Sequence, residues 1–136
     1  MKTNIKNLAA FLATSIWADG EYDEAEKIAL REIAEAFEVS EAELVAETES
    51  ALAVVEKMDE EAVNQYLIEN GAEVNEDEAA QVYMAAMQIV TVDGVLGVEE
   101  VDNLLSIATA LGLDDSYAMM LLLDLVKEEP ELELTF

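Results

Sequence analysis

Two stretches of this chain carry oxygen ligands at one shared spacing. The phrase ADGEYDEAE occupies residues 18–26, and VDGVLGVEE occupies residues 92–100, an offset of 74 positions. Each puts an Asp before a Gly and a Glu seven positions beyond that Asp: Asp19 with Glu26, and Asp93 with Glu100. Hard divalent cations are bound by several oxygens at once, and carboxylates are their usual protein ligands. The first phrase gathers Asp19, Glu21, Asp23 and Glu26 within eight residues. The expected ligands are therefore Asp19, Asp23, Glu26, Asp93 and Glu100, and the expected cation is Ca2+, Mg2+ or Mn2+.

The first phrase fits the second half of an EF-hand loop: acid, Gly, any residue, apolar, acid, then a closing Glu. The first half of such a loop is missing. Its leading ligand positions fall on Ser15 and Trp17 in one copy, and on Ile89 and Thr91 in the other. In the second copy Gly97 also stands where the acid of the ninth position belongs. A true EF-hand is not expected on these grounds.

Much of the phrase also has a purely structural reading. Asp23-x-x-Glu26 has the form of a capping box, and Glu100 holds the same third helical position after Gly97. Gly20 and Gly94 suit a turn with positive φ, with Tyr22 and Leu96 packed beneath. Asp19 and Asp93 are not explained this way. Each sits at a helix end, where a carboxylate meets the negative pole of the helix. A turn amide, Lys27 or a cation has to compensate it. On this reading Asp19 and Asp93 exceed structural need, and the first turn, richer in acids, binds better than the second.

The elements that position these turns read as seven helices without a strand. Apolar residues at three- and four-residue steps place the first from about Asn4 to Ala18, through Leu8, Phe11, Leu12, Ser15 and Ile16. The second runs from Asp23 to Phe37. Ser40 caps a third, which reaches about Met58, and Asp59 caps a fourth that stops at Asn70-Gly71. Asn75 caps the fifth, whose inner face is Ala79, Val82, Tyr83, Ala86, Met87 and Val90. The sixth spans Val98 to Leu111. Asp114 or Asp115 opens the seventh, with Tyr117, Met120, Leu121 and Leu125 expected on its inner face.

Ile33, Ala34 and Phe37 match Ile107, Ala108 and Leu111 at the same offset. Helices one to three thus correspond to helices five to seven, with helix four as connector. The expectation is a single all-α bundle with an internal pseudo-two-fold repeat over residues 1–129, followed by a loose tail over 130–136. The methionines at 84, 87, 119 and 120 read as core filler, as does Trp17 beside the first turn.

Composition narrows the function. The chain has 136 residues, a formal net charge of −26 and 53% hydrophobic residues, enough apolar material for a packed core. So negative a surface disfavours nucleic acid and anionic membranes, and favours cations or a protein partner with a basic surface. There is no Cys and no His, which removes thiol chemistry and the commonest general base. No serine has a base nearby in sequence, so a non-enzymatic protein is expected. The longest apolar run, Ala118 to Leu123, is too short to span a bilayer, and no secretory signal is visible. A cytoplasmic location is expected.

With the helix ending in Ala18-Asp19-Gly20 or Val92-Asp93-Gly94 and the Glu that follows, the chain resembles the TerB-like family of tellurite-resistance proteins. The resemblance extends over nearly the whole chain. It implies an all-helical fold of about seven helices with internal pseudo-symmetry, a role in stress response, and metal binding by acidic residues. Asp19, Glu26, Asp93 and Glu100 are the positions it carries over; Val95 and Gly97 depart from the first copy's Glu21 and Asp23. Tellurite is itself an oxyanion, repelled by this surface, and a chain without Cys cannot reduce it through a thiol. An indirect, metal-responsive or scaffolding role follows.

Overall fold

The computed structural model describes residues 2–20 and 22–135; Glu21, one of the acids counted in the first turn, lies outside them. Among the described residues there are seven α-helices: α1 (Ile5–Asp19), α2 (Glu24–Phe37), α3 (Glu41–Val55), α4 (Glu60–Gly71), α5 (Ala79–Thr91), α6 (Val98–Ala110) and α7 (Asp115–Glu128). The helices α5, α6 and α7 begin 74 residues after α1, α2 and α3. The offset seen in the acidic phrases is thus also the offset of the elements.

Polar side chains start these helices by accepting orphan amides. Asn4 accepts from Lys6 N, Asp23 from Ala25 N, Ser40 from Glu43 N and Asp59 from Ala62 N, at 2.8–3.3 Å. Each such cap contributes about 1 kcal/mol. Asn75 caps a short 3-10 turn, Glu76–Glu78, that leads into α5. The Glu78 carboxylate then accepts from the Thr3 amide and hydroxyl, which ties the N-terminal segment down.

Helix α1 is the axis of the molecule. Every residue from Leu8 to Ile16 is buried, because α3, α4, α5 and α6 all pack on it. Ala9, Ala10 and Ala13 let those neighbours approach. The buried Thr14 and Ser15 hydroxyls donate back to Ala10 O and Phe11 O at 2.8 Å, so neither is left unpaired. The predicted inner face of α5 is buried as expected, from Ala79 through Val90. Helix α4 lies against α1 and α6. At Gly71 an added Cβ would stand 2.1 Å from the Ala110 carbonyl oxygen, so only Gly allows that approach.

Three expectations are corrected. Strands are present: β1 (Val95–Gly97) pairs in parallel with β2 (Glu133–Thr135), with Leu96 opposite Leu134. The segment read as a loose tail is therefore held, and Glu133 N also donates to Gly94 O at 2.8 Å. Second, α7 buries Ala118 and Leu122, while Tyr117 and Met120 face outward and Leu121 and Leu125 are half-buried. Apolar residues surround most of this helix, so periodicity does not single out a face. Third, of the four methionines only Met87 is buried; Met84, Met119 and Met120 are exposed. Among the described residues no helix is long and apolar enough to cross a membrane.

Candidate metal centre

The two acidic turns are built alike. Asp19 is the last residue of α1, and Gly20 follows at φ 80°, its amide returning to Ile16 O at 2.9 Å. Gly94 takes φ 82°, its amide bonding Thr91 O. A side chain is strained in this left-handed conformation, so glycine is required at both positions. Tyr22 and Leu96 pack toward the core beneath the turns, as expected.

The turns lie together. The Asp19 carboxyl is raised to about 7, first by burial and then by the charges of Asp93 and Glu100. Asp93 also acts on Glu100, whose carboxyl is raised chiefly by its own burial. Glu26, beside Asp19, is raised to about 7 by burial and by contact with the Asp23 and Asp19 carboxyls. Asp19 thus joins the two turns, with Glu26 beside it from its own turn and Asp93 and Glu100 beside it from the turn 74 residues on.

Capping divides these residues differently from the sequence expectation. Glu26 is fully buried, yet neither carboxylate oxygen has a hydrogen-bond partner. The capping box predicted at Asp23 and Glu26 is therefore not closed from the Glu26 side. In the second turn Glu100 Oε1 does accept from Gly97 N at 3.3 Å, while its Oε2 is buried and unpartnered. Gly97 has no side chain to complete a box, so only that half exists. Asp93 Oδ1 accepts from Val95 N at 3.0 Å and is accounted for by its own turn. Asp19 Oδ2 is buried without a partner. The carboxylates in excess of structural need are thus Asp19 and Glu26, with one oxygen of Glu100, rather than Asp19 and Asp93.

Asp23 stands at the margin. It is exposed, it caps α2, and the neighbouring Glu26 carboxyl and the Ala25 amide hold its carboxyl below the usual range. Lys27 does not neutralise Asp19; its ammonium sits 5.5 Å over the Tyr22 ring. The ion pairs among the described residues, Lys2–Asp77 and Arg31–Glu41, are both exposed and remote from the cluster. One residue escaped the sequence reading: Asn103, a helical turn beyond Glu100, has a buried amide nitrogen without a partner. Its i+3 relation to Glu100 was the available signal.

Buried carboxylates with free oxygens and no cationic neighbour are costly, since desolvation is uncompensated. Such a set has two remedies, a shared proton or a cation. Among the described residues no three acids already converge at ligand distance on one point. The donor set is all oxygen, without His or Cys, and suits Mg2+, Mn2+ or Ca2+ rather than softer metals. The buried free oxygens of Asp19, Glu26 and Glu100, with the exposed Asp93 beside Asp19, are the set that would hold such an ion.

A helical bundle that joins two Asp-Gly turns by their carboxylates is the class this geometry defines. Residues 6–121 match the family described as tellurite resistance protein TerB, a span that includes both turns. The chain belongs to the TerB family and is a tellurite-resistance-related module. No curated protein and no solved structure matches it.

Proposed function

We propose that this chain is a non-enzymatic binding module in which one hard divalent cation, Ca2+, Mg2+ or Mn2+, bridges the two acidic turns. The observation that carries this reading is the burial of unpartnered carboxylate oxygens on Asp19, Glu26 and Glu100, contributed by both turns. A cation would satisfy all three at once, and the free oxygen of Asp93 would complete the ring. It would also clamp the end of α1 to that of α5, so its arrival would be felt across the bundle. The role in tellurite resistance is then indirect and exercised in the cytoplasm, through a cation-dependent state of the module. The competing reading keeps the turns purely structural and assigns function to an acidic surface. It predicts a cap hydrogen bond at Glu26, and that bond is not made.

Trp17 is the chain's only tryptophan and lies two residues before Asp19. Its fluorescence is expected to change on titration with Mn2+, Mg2+ or Ca2+ and to saturate. The paired substitution Asp19→Asn and Asp93→Asn is expected to weaken that response by about a hundredfold or more, consistent with loss of two charged ligands. An unchanged titration in the double variant sinks the reading.

A further inference from the structure

A groove of about 770 Å³ opens beside the second acidic turn. Its walls are two helical stripes. Met84, Met87, Gln88 and Thr91 line it from α5, and Leu121, Asp124, Leu125 and Glu128 line it from α7. Both sets fall at positions i, i+3, i+4 and i+7, the spacing of one helix face. Two such stripes across a trough are the setting in which a third helix lays down its apolar side. The walls mix apolar and polar side chains, and the apolar part is adaptable: Met84 is 47% exposed, and methionine adapts to varied partners. The rim is acidic, with Glu32, Asp124, Glu128, Glu129 and Glu131, and no Lys or Arg among the described residues lines it.

The 74-residue offset shows where the second half opens: α3 packs closely on α1, whereas its counterpart α7 stands off α5. Met84 is the counterpart of Ala10, which is fully buried because α3 and α4 help cover α1. Helix α4 rests on α1 and α6. The same offset puts the counterpart of α4 against α5 and α2, the helices that supply Met84 and Glu32 to the groove. After α7 the chain instead runs along β1 as β2, and Glu131 and Leu132 only edge the groove.

We propose that this groove receives one amphipathic helix of a partner protein. Its apolar residues, at three- and four-residue steps, seat between α5 and α7, and Lys or Arg on its flanks meet the acidic rim. Charge complementarity selects the sign of the partner. A second copy of this chain brings a net charge of −26 of its own and is repelled. The proposal stands apart from the cation reading, because Asp19, Glu26, Asp93 and Glu100 do not line the groove.

The probe is a Leu/Lys peptide of about eighteen residues, long enough to form a helix on binding, with its leucines at helical spacing. A scrambled peptide of the same composition and a Leu/Glu counterpart serve as controls. Fluorescence anisotropy with the full chain, at about 0.1 M salt so that distant charges are screened, reads the affinity. The amphipathic basic peptide is expected to bind about tenfold or more tightly than its scramble, and the Leu/Glu peptide not to bind. Glu128→Lys with Glu131→Lys, both exposed, is expected to weaken binding about tenfold or more, and Met84→Ser likewise, with helicity unchanged by circular dichroism. Glu56→Lys with Glu73→Lys, exposed and outside the groove, is expected to stay within about twofold. Equal binding of the scrambled peptide, or equal loss in the outlying pair, overturns the proposal in favour of general charge attraction. Self-association abolished by Met84→Ser assigns the groove to a second copy and overturns it too.

Discussion

Replacing Glu26 by Gln raises the stability of the cation-free protein at pH 8 and flattens its pH dependence. In the folded chain the Asp19 and Glu26 carboxyls lie at about 7, against 3.8 and 4.5 for the free groups. The folded state therefore binds more protons than the unfolded state between about pH 4 and 7, and stability falls as pH rises through that window. Below it both states are protonated; above it both are ionised, and the folded chain bears the cost of buried charge. One pKa unit corresponds to about 1.4 kcal/mol, and the two groups share protons, so the loss is on the order of a few kcal/mol. Gln keeps the shape of Glu26 and donates to Asp19 or Asp23 as the protonated acid does. Urea unfolding across pH 4–8 is expected to show a gain of about 1–2 kcal/mol at pH 8 for Glu26→Gln, since an uncompensated buried charge is removed. General repulsion in so acidic a chain acts on both proteins alike and leaves the difference between them. A variant less stable than the parent at pH 8, with the same slope, contradicts the account.

The second large effect is stabilisation by the cation. A ligand that binds only the folded state at about 100 times its Kd adds about 2.7 kcal/mol. For a domain of this size that raises Tm by about 8–12 °C. The effect is expected to be largest near pH 8, where the carboxyls are ionised and no proton competes. It is expected to be lost in Glu26→Gln, although that variant starts out more stable. This inversion separates the cation reading from a structural one: one substitution stabilises the cation-free chain and abolishes the response. Thermal unfolding in chelator and in excess Mn2+ reads both. A shift of equal size in parent and variant places the cation on exposed carboxylates elsewhere.

The helices were legible in the sequence because their caps are local. Asn4, Asp23, Ser40 and Asp59 each accept an amide two or three residues ahead, and the predicted starts of those four helices fall within a residue or two of those observed, whereas Asn75, expected to cap the fifth, caps a 3-10 turn and α5 begins at Ala79. The face of α7 was not legible, since apolar residues occur on nearly all its sides and only the neighbours decide which are covered. The strands were hidden for another reason. Val95–Gly97 is too short to show alternation, and its partner, Glu133–Thr135, pairs with it only through the folded chain. Of the site, the residue types and spacing were on view, but not their meeting. An offset of 74 reveals a repeat and says little about whether its two copies touch. The division of labour was misjudged as well. Glu26 has the spacing of a cap and Asp93 the place of a ligand, yet Asp93 bonds its own turn while Glu26 is buried without a bond. That distinction depends on which amides each carboxylate can reach, a matter of three-dimensional geometry.

The central claim is that the two turns form one site. Isothermal titration calorimetry of the parent chain and of two single variants, Asp19→Asn in the first turn and Glu100→Gln in the second, tests it most directly. The account predicts one cation per chain in the parent and a loss of about tenfold or more in affinity from either substitution alone, because each removes a charged ligand from the same ion. Two cations per chain, with each substitution removing one and leaving the other intact, would contradict it, as would the absence of any saturable binding.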